Sequence, residues 1–183
     1  MVEEKELVSA LQTEEQSEKA FRILVSEYKE RLYWHIRKIV LSHDDTDDVL
    51  QNTFIKVYRN ISKFQGDSKL YTWMYRIATN ESITFLKKKA KQKNITIEEV
   101  KEQIISNLES DVYFEGDEIQ IKLQKAIATL PQKQQLVFNM KYFEEHTYDD
   151  LSEILGTSVG GLKSSYHIAV KKITAFLKQN ETF

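Results

Sequence analysis

Phe21, Leu24, Val25, Tyr28, Leu32 and Ile36 stand mostly three or four positions apart, which puts them on one face of a helix. The same spacing returns at Leu50, Phe54, Val57, Tyr58 and Ile61, and again at Leu70, Trp73, Met74 and Ile77. It recurs at Ile119, Leu123, Ala126, Ile127 and Leu130, and last at Leu162, Tyr166, Ala169, Ile173 and Leu177. No stretch alternates convincingly at strand spacing, and no segment repeats. With one proline and five glycines in 183 residues, little interrupts such helices. The expected fold is all-α.

Punctuation divides the chain. Ser42-His43-Asp44-Asp45 has the form of a capping box. Phe64-Gln65-Gly66-Asp67-Ser68 is a turn signal, and the helix after it runs to about Leu86. The lysine run from Lys87 to Lys93 closes this first block. Periodicity fails from Asn94 to Gly116, which reads as a linker with room for local helix. Pro131 suits the start of a helix over 132–143, and Thr147-Tyr148-Asp149-Asp150 starts another that Gly156 ends. Charge follows the same division: −4 over residues 1–20, +7 over 21–95, −7 over 96–120 and +2 over 121–183. Two small helical domains are expected, residues 1–95 and 117–183, joined by an acidic linker over 96–116. A basic block hidden inside a net charge of −2 points to a polyanion as partner.

The stretch LGTSVGGLKSS, Leu155 to Ser165, invites a phosphate-loop reading because Gly156 and Gly161 have the right separation. Leu162 stands where that loop needs its lysine, and the residues before Gly156 are amphipathic helix rather than a buried strand. Helix, glycine turn and second helix make a helix-turn-helix instead. On its second helix Lys163, Ser164, His167 and Lys171 fall opposite the apolar stripe, where they can present donors and cations to a DNA groove. A solvated amphipathic helix would show the same face in isolation; the preceding helix and turn favour DNA.

Other chemistries are poorly supported. Without cysteine there is no disulfide and no thiolate metal site, which suits a reducing cytoplasm. No apolar run approaches the roughly 20 residues of a membrane span. The acidic N-terminus lacks the order of a signal peptide, so a cytoplasmic protein without membrane insertion is expected. The cluster Asp44-Asp45-Thr46-Asp47-Asp48 lacks the glycine and glutamate that complete a calcium loop. Acids in a first helical turn serve the helix dipole, or offer a docking surface to a protein. His35, His43, His146 and His167 do not pair with carboxylates at metal-ligand spacing, and no nucleophile–base pair stands out. No catalysis, metal or cofactor is therefore expected. By contrast Tyr71, Trp73 and Tyr75 alternate with Lys69 and Arg76 ahead of Asn80, as in proteins that hold unstacked single-stranded bases. Any one of these rings taken alone is better explained as core; interleaved with basic residues in the +7 block, the set is better explained by nucleic acid.

The run DDTDDVLQNTFIKVYRNISKFQGDSKLYTWMYRIATNESI resembles the polymerase- and promoter-binding domain of bacterial sigma factors. LQKAIATLPQKQQLVFNMKYFEEHTYDDLSEILGTSVGGLKSSYHIAVKKI is similar to their C-terminal helix-turn-helix domain. Two such domains and a short linker resemble the extracytoplasmic-function group.

The resemblance implies three surfaces. Asp44, Asp47, Asp48, Gln51, Phe54 and Val57 match the helix that docks to core RNA polymerase. Asn60, Phe64, Trp73, Ile77 and Asn80, with Arg76 and Lys87 beside them, match positions that open the −10 element and hold a flipped base. Lys163, Ser164, His167 and Lys171 match the recognition helix for the duplex −35 element. The linker would thread polymerase channels normally occupied by nucleic acid, and an anti-sigma factor would cover both domains. There are departures. Gly161-Leu162-Lys163-Ser164-Ser165 stands where the family often has Thr-Val-Lys-Ser-Arg, and Ile168 where it often has arginine. Lysines at Lys87 to Lys89 replace family arginines, keeping charge but losing bidentate geometry. A sigma factor is the favoured reading, and an operator-binding regulator that acts without being a polymerase subunit is the alternative.

Overall fold

Glu4 of the first helix, α1 (Glu4–Gln12), accepts the backbone N–H of Leu70, where a later helix begins. The computed structural model describes residues 4–13, 17–106 and 118–179. Among them every regular element is helical. After α1 come α2 (Ser17–Val40), α3 (His43–Asn60) and a 3₁₀ turn (Ile61–Lys63). Then follow α4 (Leu70–Lys93), α5 (Ile97–Ser106), α6 (Glu118–Ala128), α7 (Gln132–Tyr142), α8 (Tyr148–Leu155) and α9 (Val159–Gln179).

The helix ends have local causes. The Ser42 hydroxyl accepts from the Asp45 N–H at the start of α3, and α8 begins with a reciprocal capping box between Thr147 and Asp150. Gly156 closes α8 in the left-handed region at φ 61°, and the chain turns there into α9. The lysine run is not a boundary. α4 continues through it because Leu86 and Ala90 carry the buried stripe onward while Lys87 and Lys88 point to solvent. It stops at Asn94, left-handed at φ 53°, and the Ile95 N–H returns to the Ala90 carbonyl. Within the expected linker, Thr96 and Glu99 cap each other at the head of α5. Residues 107–116 of that linker lie outside the described residues, as does residue 117 after it.

α2, α3 and α4 pack around Leu24, Leu32, Ile36, Val49, Val57, Leu70, Met74 and Leu86. Each fully buried leucine or isoleucine is worth roughly 2 kcal/mol. The same cluster runs on through Val100 of α5 to Leu136, Val137 and Met140 of α7, Leu151 and Ile154 of α8 and Leu162 of α9. A smaller cluster joins α6, α7 and α9 through Ile127, Leu130, Phe138, Ala169 and Ile173. Ile119, expected on the apolar face of α6, is instead 72% exposed. No helix of the described residues is long and apolar enough to cross a membrane.

Candidate nucleic-acid interface

The loop from Phe64 to Lys69 delivers the chain into α4, and Trp73 stands one turn inside that helix. The rings of Phe64 and Trp73 lie 5.3 Å apart at 48°. Together with Lys63, Gln65, Asp67, Ser68, Thr72 and Arg76 they line a cleft of about 350 Å³. Phe64 is buried and forms its floor, Trp73 is half-buried, and Arg76 is exposed at its edge. Ile77, Asn80 and Lys87 continue along α4, the last two exposed. Asn60 lies just before the loop, where its side-chain amide donates to the Lys56 carbonyl. The cleft can therefore offer an aromatic wall to a planar base and cations to a backbone phosphate. One wall belongs to another part of the chain, for Glu153 of α8 also faces into it.

α9 carries Lys163, Ser164, His167 and Lys171, all exposed, opposite buried Leu162, Ala169 and Ile173. The Lys163 ammonium lies 5.7 Å from the ring centre of Tyr148, which ties the face to the start of α8. Ile168 adds an apolar patch, 42% exposed.

The residues expected to dock on a protein divide into two sets. Asp44, Asp47, Asp48 and Gln51 are exposed along α3, with Asp47 3.7 Å from the His43 ring. Phe54 and Val57 turn inward, and Val57 has no exposed surface. Their neighbours Ile55 and Tyr58 face outward, 41% and 50% exposed. With Gln51, Phe54, and Phe21, Arg22 and Val25 of α2, they line an apolar groove of about 770 Å³. Periodicity put Tyr58 on the core face; its ring instead stands edge-on to Phe21, 4.9 Å away, at the rim of this groove.

Sequence reasoning missed a polar cluster that joins α2 and α4 to the turn between α7 and α8. Glu144 accepts from His35 at 3.0 Å and lies 3.5 Å from the Lys38 ammonium and 3.3 Å from the His146 ring. Burial alone would raise the Glu144 carboxyl. The His35 ring, the hydrogen bonds from His146 and His35, and Lys38 outweigh it and hold the group well below the usual carboxylate range. His35 also bonds Thr79 of α4, and the Tyr71 ring stacks on His146. Nearby, Asp150 of α8 lies 3.6 Å from the Lys69 ammonium. Burial pushes Asp150 up, but bonds to the Thr147 and Tyr71 hydroxyls and the Thr147 N–H bring it down to about 2. On the far side Lys101 of α5 is buried against Gln135 of α7, and burial lowers its ammonium to about 8. No local pattern announces that Glu144 meets His35 and Lys38, which stand more than a hundred positions before it.

The model for Sigma-70 region 2 matches residues 24–92, and that for Sigma-70, region 4 matches residues 120–173. An ECF RNA polymerase sigma-E factor of Haemophilus influenzae is 31% identical over 154 residues, covering 80% of this chain and 81% of its own. The ECF RNA polymerase sigma factor SigW of Bacillus subtilis is 30% identical over 156 residues, covering 81% and 83%. In fold the chain is similar to CnrH, solved in complex with the cytosolic domain of CnrY. The TM-score is 0.72 at 17% identity, covering 97% of this chain and 99% of that one. It is also similar to RpoE of Bartonella quintana in complex with the anti-sigma factor NepR. There the TM-score is 0.67 at 19% identity, covering 89% and 99%.

Proposed function

This chain belongs to the extracytoplasmic-function group of RNA polymerase sigma factors, and from that premise we propose how its surfaces divide the work of starting transcription. Residues 1–95 bind core polymerase and the −10 element, residues 96–116 link, and residues 117–183 bind the −35 element. The Phe64–Trp73–Arg76 cleft takes one base of the melted strand, stacking it on Trp73 while Lys63 and Arg76 neutralise the backbone. The carrying observation is that an aromatic pair and two cations line one base-sized cleft at the head of α4. Asn80 and Lys87 extend the track along the same helix.

α9 enters the major groove of the upstream element with Lys163, Ser164, His167 and Lys171. Polymerase docks on the outward face of α3. Asp44, Asp47, Asp48 and Gln51 supply charge and hydrogen bonds, and Ile55 and Tyr58 supply the apolar contact that buried Val57 does not. The chain supplies binding energy for promoter choice and strand opening and performs no chemistry of its own. It acts in the cytoplasm, where polymerase and promoter are found. An anti-sigma factor is its expected regulator, as the solved relative bound to one suggests. With Glu153 in the cleft and Lys69 beside Asp150, α8 must move aside before the strand can enter.

Genome-selected transcription in vitro, with purified core polymerase and with or without the chain, tests this reading. Discrete new start sites that depend on the chain are expected. Absence of stimulation, with duplex binding retained in the absence of polymerase, would instead make it an operator-binding regulator.

A further inference from the structure

The loop that shapes the cleft is poorly tied by its own backbone. From Gln65 to Ser68 no backbone–backbone hydrogen bond is made among the described residues, and Gly66 sits in the left-handed region at φ 78°. Lys69, which precedes α4, supplies no side-chain cap to that helix. Both ends of the loop are held by α1 instead. The Gln12 amide donates to the Phe64 carbonyl at 2.9 Å and to the Ile61 carbonyl at 3.1 Å. Glu4 accepts the Leu70 N–H at 2.9 Å, which places a carboxylate at the positive end of α4. α1 is itself anchored, with Leu7 and Leu11 buried in the main core.

We propose that α1 is a brace for the strand cleft, with Gln12 and Glu4 as positioning residues that set the loop and so decide which base the cleft accepts. The inference rests on reading that cleft as the site of the melted strand. Gln12 fixes the Phe64 carbonyl, and the Phe64 ring is the surface against which Trp73 leans. Release of that carbonyl frees the floor of the cleft; the second bond of Gln12, to Ile61, lies at the C-terminal end of α3, whereas Asp44, Asp47, Asp48 and Gln51 lie toward its other end. A loop free to shift admits several bases where a braced one admits a single base.

The test uses polymerase holoenzyme assembled with the full chain and a pool of single strands randomised over the −10 positions. Gln12→Glu keeps size and removes the donor, and its carboxylate faces two carbonyl oxygens. It is expected to bind polymerase as the unaltered chain does while its preference for the selected strand over substituted strands falls roughly tenfold, within the roughly thirtyfold that two neutral hydrogen bonds of about 1 kcal/mol each can supply. Gln12→Lys restores a donor and is expected to restore the preference. A merely structural role would move polymerase affinity along with strand preference. Trp73→Ala is run in parallel. Full preference in Gln12→Glu beside a failing Trp73→Ala overturns the brace and leaves the cleft standing. Full preference in both, or no selected strand with the unaltered chain, overturns the cleft and the brace with it. Loss of polymerase affinity in step with preference also overturns the brace.

Discussion

Glu144 and His35 are 109 positions apart in sequence, yet a Glu144 carboxylate oxygen lies 3.0 Å from His35 Nδ1. That contact fastens the α7–α8 turn to α2, and Lys38 and His146 converge on the same carboxylate. Breaking a buried charged cluster on one side costs about 3 kcal/mol. Glu144→Ala is therefore expected to lower the denaturant midpoint and, by freeing α8 from α4, to enlarge the radius of gyration in small-angle scattering. An unchanged radius would mean that the apolar contacts of Leu151 and Ile154 suffice to hold α8 in place.

Asp150 gives the same interface an acid limit. Its carboxyl falls from an ordinary 3.8 to about 2 in the fold, so the ionised form is the one stabilised. Its contribution is complete above 3.8 and is lost as pH falls from there toward 2. The stability difference between the unaltered chain and Asp150→Asn should accordingly shrink over that interval in denaturation series. A constant difference would place the value of Asp150 in shape rather than charge.

Tyr58 and Phe54 share a helix but should fail differently. Tyr58 is half exposed at the rim of the groove, so Tyr58→Ala is expected to weaken core polymerase binding by about 2 kcal/mol with little change in melting temperature. Phe54 is 9% exposed, and Phe54→Ala should instead destabilise the fold by about 3 kcal/mol. Polymerase titration and thermal melting of both variants separate the two effects. Unaltered polymerase affinity in Tyr58→Ala would move the docking site elsewhere.

Lys163 stands at the exposed head of α9. Lys163→Ala should weaken duplex binding at the upstream element and reduce the salt slope of that binding by roughly 1, the share of one phosphate contact. A footprint and slope like those of the unaltered chain would remove Lys163 from the interface.

Much of this architecture could be read from spacing alone. α2 and α9 carry stripes such as Leu24–Tyr28–Leu32–Ile36 and Leu162–Ala169–Ile173, where local periodicity and tertiary burial agree. α1 was invisible because only Leu7 and Leu11 are buried, and its use lies in Gln12 and Glu4 reaching a loop about fifty to sixty-six positions away. The reach of α4 was underestimated because Leu86 and Ala90 extend its stripe beneath a lysine run that reads as a stop. Trp73 was foreshadowed by aromatic and basic residues in alternation and Phe64 by the family resemblance, whereas Glu153 across the cleft was not, since it belongs to α8. Tyr58 kept the spacing of a core residue but stands outside because α2 and α3 leave a groove there. Spacing reports which face is apolar, not whether a neighbour covers it.

The most direct test of the central claim is permanganate footprinting of promoter complexes made with the unaltered chain and with Trp73→Ala. Both are expected to protect the promoter from nuclease. Only the unaltered chain should render thymines of the −10 region reactive, because capture of a base against Trp73 is what holds the strands apart. Equal reactivity with Trp73→Ala would contradict the account and return Trp73 to the core.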